Sequence, residues 1–251
     1  MAKKVKEHNY NIADVSAEGA EGKQHVPFAI VEAYKTIRAN LMFLLSGSKS
    51  KTVVLSSSNV GEGKSTTAVN LAIAFAQLGS KVLLIDADMR RPSIYKKMKL
   101  ANQKGLSSVL VGFCEIPEAI SEINPYFDIM TSGPVPPNPS ELLGSDKMSE
   151  LLDKLSESYD YIFIDTPPVN VVSDALVLAP KTEGIVYVVH DSVTTHDELQ
   201  KALSGVEFAD VRMLGIILNG TNRKKSRYRY LTGRYYYKYY SYYGYKSKKD
   251  K

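Results

Sequence analysis

The chain has 251 residues, and its composition, with 44% hydrophobic and 24% charged residues, is typical of a globular protein with one buried core. No apolar stretch reaches the roughly 18 residues that a membrane-spanning helix requires, and the first ten residues lack the apolar region of a secretory signal. The single cysteine, Cys114, excludes an internal disulfide and a cluster of metal-binding thiolates. We therefore expect a cytoplasmic protein.

The net charge of +5 conceals an uneven distribution of charge along the chain. Residues 223–251 contain 11 of the 32 Lys and Arg residues and one acidic residue, Asp250, so this segment carries a charge of +10. The preceding residues contain 21 basic and 26 acidic side chains and carry a charge of −5. Because nucleic-acid-binding proteins usually carry positive charge on the folded domain as well, we expect no nucleic-acid partner.

Short apolar runs alternate with helical patterns along most of the chain. The runs are rich in Val and Ile and apolar almost throughout, which is typical of strands buried on both faces of a sheet. In chain order they begin at Thr52, Lys81, Phe127, Tyr161, Gly184 and Met213. Helices are predicted over residues 65–78, 140–157, 173–179 and 195–207. This alternation predicts a doubly wound, mostly parallel α/β sheet with helices on both faces and a functional site at the carboxyl ends of its strands.

Composition and periodicity also divide the chain into three segments. Residues 1–27 are polar and are predicted to be a flexible N-terminal segment. A folded domain is predicted over residues 28–222, and it begins with a helix over residues 28–45. The apolar residues that recur at helical spacing in this helix are Ile30, Tyr34, Ile37, Leu41 and Leu44. Residues 223–251 are predicted to be a flexible basic tail, because positions 228–245 hold ten tyrosines without helical or strand periodicity.

The first predicted strand leads into the sequence SSSNVGEGKSTT and then into an apolar helical pattern. Gly61 and Gly63 allow a sharp turn in which successive N–H groups face one anion, and the helix that begins at Lys64 adds the positive end of its dipole. Lys64 can reach the β- and γ-phosphates of a nucleotide, and the Ser65 hydroxyl can bind magnesium. Although Ser58 replaces the first glycine of G-x-x-x-x-G-K-[ST], this order of elements predicts a phosphate-binding loop of the P-loop NTPase type. We expect Lys64 to face solvent when no nucleotide is bound.

Three acidic residues follow two further strands. Asp86 and Asp88 lie two residues apart, so an extended backbone directs both to one face, and Asp165 ends another strand. One such residue alone is better explained as a helix cap, but three of them beside GEGKST predict a metal and nucleotide site. Asn219, after the last predicted strand, can hydrogen-bond the adenine edge or form the turn before Gly220. The guanine-reading sequence N-K-x-D is missing, which favours ATP.

These motifs resemble those of the cytoplasmic bacterial tyrosine kinases (BY-kinases) of capsular and exopolysaccharide synthesis, over residues 28–251. GEGKST is similar to the Walker A motif of that family, LLIDADMRRP to its Walker A′ motif and IFIDTPP to its Walker B motif. GPVPPNPSELL, over residues 133–143, is similar to the proline-rich loop beside the family's active site. EAYKTIR resembles the helical oligomerisation motif E-x-x-R-x-x-R, and the C-terminal tyrosines resemble the family's autophosphorylation region.

The resemblance implies a protein-tyrosine kinase that uses ATP and Mg²⁺. The catalytic residues implied are Lys64, Asp86 and Asp88, with Asp86 accepting the proton of the tyrosine hydroxyl. Together with the adenine role considered for Asn219, the predicted nucleotide-binding residues are Gly61, Glu62, Gly63, Lys64, Ser65, Thr66 and Asn219. The metal-binding residues implied are Ser65, Asp86, Asp88 and Asp165. The autophosphorylation sites implied are Tyr228, Tyr230, Tyr235, Tyr236, Tyr237, Tyr239, Tyr240, Tyr242, Tyr243 and Tyr245.

The same resemblance implies partners. Glu32, Lys35 and Arg38 are implied to form the interface of a homo-oligomer, in which one subunit phosphorylates the tail of its neighbour. Lys35 stands where the motif has its first arginine and cannot form the same bidentate pair, which weakens the expected interface. A separate transmembrane activator, a polysaccharide co-polymerase, is expected to recruit the chain to the inner face of the cell membrane. A tyrosine phosphatase is expected to reverse the reaction.

Two other classes of protein share some of these features. ParA-like positioning ATPases have similar Walker motifs, but they have a lysine five residues before the P-loop lysine, where this chain has Asn59. A nucleic-acid binder with a basic aromatic tail leaves the three acidic residues unexplained. Incubation with radiolabelled ATP separates the three classes, because only a kinase transfers phosphate to tyrosine.

Overall fold

The structure, a computed structural model, describes residues 28–221. Internal contacts divide the chain into two units, Met1–Asn219 and Gly220–Lys251. Every helix and strand described below belongs to the first unit. The predicted N-terminal segment, the predicted tail and its ten tyrosines lie outside the described residues. The three predicted segments therefore stay predictions.

A seven-stranded sheet forms the centre of the described chain. Its strands are β1 (Thr52–Ser57), β2 (Val82–Asp86), β3 (Ile120–Asn124), β4 (Phe127–Met130), β5 (Tyr161–Asp165), β6 (Ile185–His190) and β7 (Met213–Asn219). Their order across the sheet is β3-β4-β2-β5-β1-β6-β7, with β3 antiparallel to β4 and the other neighbours parallel. The predicted doubly wound, mostly parallel sheet is confirmed.

Helices cover both faces of this sheet. They are α1 (Phe28–Leu44), α2 (Lys64–Ala76), α3 (Ile94–Lys97), α4 (Leu106–Leu110), α5 (Ile116–Ala119), α6 (Pro139–Gly144), α7 (Asp146–Ser156), α8 (Asp174–Leu178) and α9 (His196–Phe208), and a 3₁₀ turn over Ala179–Lys181 follows α8. Within residues 28–221, no helix has both the length and the apolar character needed to cross a bilayer.

Alternate residues of the central strands enter two separate cores. In β1, Val53 and Leu55 belong to the core that α1 and α2 cover, while Val54 belongs to the core that α4 to α9 cover. Phe75 of α2 packs its ring against Phe163 of β5 in the first core. Because each central strand is buried on both sides, its sequence is apolar almost throughout instead of alternating. The two cores together fix the sheet between the helices and hold its carboxyl edge in place.

Helix α1 confirms the helix predicted over residues 28–45, but only part of its predicted apolar stripe is buried. Tyr34 and Leu41 lie in the core beside α2, and the Asn70 side chain of α2 donates a hydrogen bond to the Tyr34 hydroxyl. Ile30 and Leu44 are 41% and 37% exposed. The middle of α1 therefore anchors the helix to α2.

The single helix predicted over residues 140–157 is wrong, because the structure has two helices there. Gly144 ends α6, and Ser145 adopts an extended backbone and caps α7, where its hydroxyl accepts a hydrogen bond from the Met148 N–H. The antiparallel strand β3 and the short helices α3, α4 and α5 are also absent from the predicted elements. The sequence of β3, ISEIN, is mostly polar because this strand lies at the edge of the sheet.

Candidate functional site

The loop between β1 and α2 has the backbone that phosphate binding requires. Gly61 and Gly63 have φ values of 91° and 87°, in the left-handed region that favours glycine. A Cβ atom at Gly63 would lie 2.8 Å from the Asn219 Nδ2 atom, so a side chain at this position would displace the Asn219 amide. Helix α2 begins at Lys64, directly after the loop, with its unpaired N–H groups at the same end.

Lys64 is buried, so the prediction that it faces solvent is wrong. The residue is 8% exposed, and its Nζ atom lies 3.3 Å from Asp88 Oδ2, 3.2 Å from Asp165 Oδ1 and 3.2 Å from Ser65 Oγ. Burial lowers the pKa of Lys64, but the negative charges of Asp165 and Asp88 outweigh burial and raise its pKa overall. The lysine therefore stays protonated between the two carboxylates.

Asp86 lies beside Asp165 on the neighbouring strand and binds the loop that follows β2. Its Oδ2 atom accepts hydrogen bonds from the N–H groups of Ser93 and Ile94, at 3.2 and 3.0 Å, and its Oδ1 atom accepts one from Asp88. Burial and the Asp165 charge raise the pKa of Asp86. Because both of its oxygens already accept backbone N–H groups, Asp86 organises the loop, while Asp88 is the carboxylate on the wall of the cavity.

The predicted metal ligands surround Lys64 and leave one carboxylate oxygen unsatisfied. Asp165 Oδ2 is buried and has no hydrogen-bond partner among residues 28–221. Burial raises the pKa of Asp165, and Lys64 opposes this effect. No group of three His, Cys, Asp or Glu side chains in the described chain forms a ready-made metal site. Mg²⁺ usually takes one or two protein carboxylates together with nucleotide phosphates and waters, so Ser65 with Asp88 and Asp165 fits that ion.

Glu62 points into the protein and braces the phosphate-binding loop. It is 1% exposed, and its carboxylate accepts hydrogen bonds from the Ser58 N–H at 2.7 Å and the Thr194 hydroxyl at 2.6 Å. Only its backbone can therefore face a phosphate. Asn219 braces the same loop from β7, since its Nδ2 atom donates to the Glu62 carbonyl and to the Thr67 hydroxyl, both at 3.0 Å. The adenine role considered for Asn219 stays a prediction, and its amide N–H₂ group is already engaged.

An open cavity of about 420 Å³ connects these groups. The phosphate-binding loop and the start of α2 form one wall, to which Gly61, Gly63, Lys64, Ser65 and Thr66 contribute. The loop after β2 forms a second wall with Asp88, Arg90, Arg91, Ser93 and Lys97. The third wall is apolar and contains Pro167, Pro168, Val171 and Val172. The structure thus brings phosphate-binding, acidic and basic groups together at the carboxyl edge of the sheet.

An ion pair that the sequence does not predict fixes the loop after β2. Arg90 donates from Nε and Nη2 to the two carboxylate oxygens of Asp174, at 3.0 and 3.1 Å, and Asp174 is fully buried. The Ser140 hydroxyl at the start of α6 also donates to Asp174 and accepts from Arg90. This arrangement connects the proline-rich segment to the cavity. Ser140 is the serine of PNPSELL, and this local sequence does not indicate that Ser140 contacts Arg90 and Asp174.

The three residues of the predicted subunit interface make contacts within the chain. Lys35 forms a salt bridge with Glu32, at 2.7 Å, on an exposed face of α1. Arg38 donates from Nη1 to the carbonyl of Ala74, near the end of α2. Arg38 therefore also holds α1 against α2, and the interface stays a prediction.

Comparison with known proteins places these motifs in a family. The family described as AAA domain matches residues 50–188. Tyrosine-protein kinase YwqD of Bacillus subtilis (strain 168) is 42% identical over 195 residues, which are 77% of this chain and 82% of that protein. The putative tyrosine-protein kinase CapB of Staphylococcus aureus is 36% identical over 191 residues, which are 76% of this chain and 84% of that protein.

A solved structure agrees with these relatives. The kinase domain of the Escherichia coli tyrosine kinase ETK has a TM-score of 0.76 and 33% identity, over 82% of this chain and 85% of that chain. The predicted nucleotide-binding P-loop fold is confirmed by this likeness and by the matched AAA domain. The chain therefore belongs to the family of bacterial tyrosine-protein kinases, and its enzyme class is that of a protein-tyrosine kinase.

Proposed function

We propose that this kinase transfers the γ-phosphate of ATP to the tyrosines of its own C-terminal segment and thereby regulates the synthesis and export of a capsular polysaccharide or exopolysaccharide. The observation that carries the proposal is the position of Lys64. The P-loop lysine lies within 3.3 Å of Asp88 and Asp165 on the wall of a cavity, so the groups for phosphate and for metal converge. The ten tyrosines at positions 228–245 supply the acceptors.

The phosphate-binding part of the site acts through the backbone and through Lys64. N–H groups of the loop around Gly61 and Gly63 and of the first turn of α2 bind the nucleotide phosphates. Lys64, which pairs with Asp88 and Asp165 here, would bind the β- and γ-phosphates, and Thr66 lies at the same wall. Ser65, Asp88 and Asp165 would hold the Mg²⁺. When bound, the ion would neutralise the negative charge on the transferred phosphoryl group.

The acceptor part of the site positions a tyrosine and takes its proton. The tyrosine oxygen forms a bond to the γ-phosphorus as the bond from that phosphorus to the bridging oxygen of ADP breaks. Asp88 lines the cavity, so we propose that Asp88 accepts the tyrosine proton. The resemblance implies that role for Asp86. Arg90 is held by Asp174 at the edge of the same cavity and adds positive charge near the transferred group.

The proposal extends to the assembly of the kinase. A neighbouring subunit of a homo-oligomer presents its tail, and a separate transmembrane activator recruits the chain to the inner face of the membrane. Each phosphotyrosine adds about −1.5 to −2 charges, so roughly six of them cancel the charge of +10 on the tail. Further phosphorylation makes the crowded tails repel each other and the acidic body of the chain, which favours dissociation. A tyrosine phosphatase restores the assembled state.

The experiment that tests the activity is incubation of the purified chain with radiolabelled ATP and Mg²⁺. We expect label on tyrosine in the wild-type chain and none after chelation of the metal. Hydrolysis of ATP without transfer to protein would contradict the proposal and would support a ParA-like positioning ATPase. Labelling that persists without divalent metal would contradict the role given to Ser65, Asp88 and Asp165.

A further inference from the structure

Three side chains on one wall of the cavity are not used by the proposed reaction. Arg91, Ser93 and Lys97 lie on the loop after β2 and on α3, and all three line the cavity. In residues 28–221 no ion pair involves Arg91 or Lys97, whereas Lys64 and Arg90 are both paired with buried carboxylates. Asp88 is the one acidic residue on the described cavity walls. This wall therefore carries two basic groups that form no ion pair within residues 28–221.

The backbone beneath these three side chains is held in place. Asp88 Oδ1 accepts the N–H of Arg91 at 3.0 Å, and Asp86 Oδ2 accepts the N–H groups of Ser93 and Ile94. Asp86 ends β2, and Asp88 follows it two residues later. An ordered frame lowers the entropic cost of binding a ligand through Arg91, Ser93 and Lys97, which we call the Arg91 subsite. Its chemistry, a guanidinium, a hydroxyl and an ammonium, suits a phosphate group.

The apolar wall of the cavity suits an aromatic ring. Pro167, Pro168, Val171 and Val172 present apolar surface to the same cavity, and Val171 is 58% exposed. A ligand that carries both a phosphate and an aromatic ring next to an acceptor tyrosine can contact both walls. A phosphotyrosine beside the acceptor is a ligand of that kind.

The sequence of the tail indicates where such a ligand comes from. Positions 235–243 hold seven tyrosines, and residues 223–249 contain no acidic residue. A negative charge beside an acceptor tyrosine in this segment therefore arises by phosphorylation of another tyrosine. Before that step, Arg91 and Lys97 repel the basic tail, and after it they attract the phosphate.

We propose that the Arg91 subsite binds a phosphotyrosine next to the acceptor, so that the first phosphorylation of the tail primes the following ones. This inference rests on the proposed tyrosine kinase activity and adds a preference for an already phosphorylated substrate. The negative charge bound at the Arg91 subsite selects which tyrosine is the acceptor. The phosphoryl transfer itself uses Lys64, Asp88 and the Mg²⁺ site.

The test compares three peptides of residues 232–241 in which Tyr239 is the one free tyrosine. Position 237 holds phosphotyrosine, phenylalanine or glutamate, and the other tyrosines are replaced by phenylalanine. The enzyme is the full chain with its ten tail tyrosines replaced by phenylalanine, so that its own tail does not compete. We expect kcat/KM for the phosphotyrosine peptide to exceed that for the phenylalanine peptide about tenfold, the effect of one charge-assisted hydrogen bond.

Variants of the subsite and a matched control complete the experiment. Arg91→Ala combined with Lys97→Ala should reduce the ratio of the two kcat/KM values to about one, whereas Lys96→Ala should keep it. Lys96 is an exposed neighbour whose ammonium lies over the Tyr95 ring and not in the cavity lining. Removal of the Lys96 charge thus controls for a general change in net charge.

Each other outcome overturns the inference in a recognisable way. Equal labelling of the phosphotyrosine and phenylalanine peptides would refute priming and leave the kinase activity standing. A glutamate peptide as good as the phosphotyrosine peptide would show selection of any anion. A double variant that raises KM for ATP but keeps the preference would assign Arg91 and Lys97 to the nucleotide. No labelling of any peptide or of the wild-type tail would refute the proposed function as well.

Discussion

The two loops that face the cavity are built in opposite ways. The phosphate-binding loop turns the Glu62 side chain inward, where Ser58 and Thr194 bind it, and offers its backbone N–H groups to the ligand. The loop after β2 turns its backbone N–H groups inward, where Asp86 binds them, and offers the side chains of Arg90 and Arg91 to the cavity. A loop that offers its backbone to the ligand is thus held in place through a side chain, and a loop that offers its side chains is held in place through its backbone.

This difference predicts that mutations in the two loops fail for different reasons. In the first loop, a change of a bracing side chain moves the backbone that binds phosphate. In the second loop, a change of a cavity side chain removes a contact with the substrate and leaves the backbone in place. Lys64 belongs to both systems, because it starts α2 and pairs with Asp88 of the other loop.

The largest effect is expected for Lys64→Ala, which should abolish tyrosine labelling. It removes the cation that meets the γ-phosphate. The variant also leaves Asp88 and Asp165 close together without their buried partner, so the nucleotide-free protein should lose about 3 kcal/mol of unfolding free energy. Labelling with radioactive ATP and urea denaturation measure the two effects. Wild-type labelling by this variant would refute the assignment of the loop.

The next effect separates the two carboxylates after β2. Asp86→Asn should destabilise the fold by about 1–3 kcal/mol, because an amide cannot accept all three N–H groups that the carboxylate binds. Asp88→Asn should remove most of the activity with a smaller loss of stability, because Asp88 lines the cavity. Denaturation and labelling rates of both variants check this. The reverse pattern would show that Asp86, and not Asp88, faces the reacting groups.

A smaller effect is expected from the brace of the phosphate-binding loop. Thr194→Val removes the hydroxyl that donates to the buried Glu62 carboxylate, so the loop should bind nucleotide more weakly, by about tenfold. We expect KM for ATP to rise more than kcat falls. Ser192→Ala, an exposed change in the same loop after β6, serves as the control. Equal KM values for the two variants would contradict the brace.

The smallest effect on folding concerns α1, away from the cavity. Lys35→Glu breaks the exposed Lys35–Glu32 pair, which contributes about 0.3 to 0.5 kcal/mol to stability. Arg38→Glu removes the hydrogen bond from Arg38 to the Ala74 carbonyl. If α1 forms the subunit interface, both variants should be monomeric in light scattering, with a measurable loss of stability only for Arg38→Glu. An unchanged mass for both would rule out this interface.

The sequence predicts the parts of the site that depend on local chemistry. GEGKST between a strand and a helix indicates the phosphate-binding loop, and apolar strands lead to Asp86, Asp88 and Asp165. The structure shows that these two strands are neighbours in the sheet. The buried position of Lys64 is not predicted, because it depends on two carboxylates 24 and 101 residues away in the chain. The Arg90 contacts with Asp174 and Ser140 span 84 and 50 residues and give no local pattern.

The fold is likewise predicted where the residues of an element share one environment. Strands buried on both faces have a recognisable apolar sequence, which is why the runs that form β1, β2, β4, β5 and β6 are predicted correctly. The sixth run forms β7, which is apolar although it lies at the edge of the sheet and exposes Ile216 and Leu218. The edge strand β3 and the break at Ser145 depend on contacts at the periphery, where polar residues serve strands, turns and caps equally well.

Mass spectrometry of the purified chain after incubation with ATP and Mg²⁺ tests most directly whether the C-terminal tyrosines are the substrate. We expect phosphate on tyrosines between residues 228 and 245, none in Lys64→Ala, and almost no self-labelling when the ten tyrosines of this segment are replaced by phenylalanine. The phenylalanine variant should still bind ATP and should stay assembled. Phosphate confined to other residues, or strong labelling of the phenylalanine variant, would contradict the claim that the C-terminal tyrosines are the substrate.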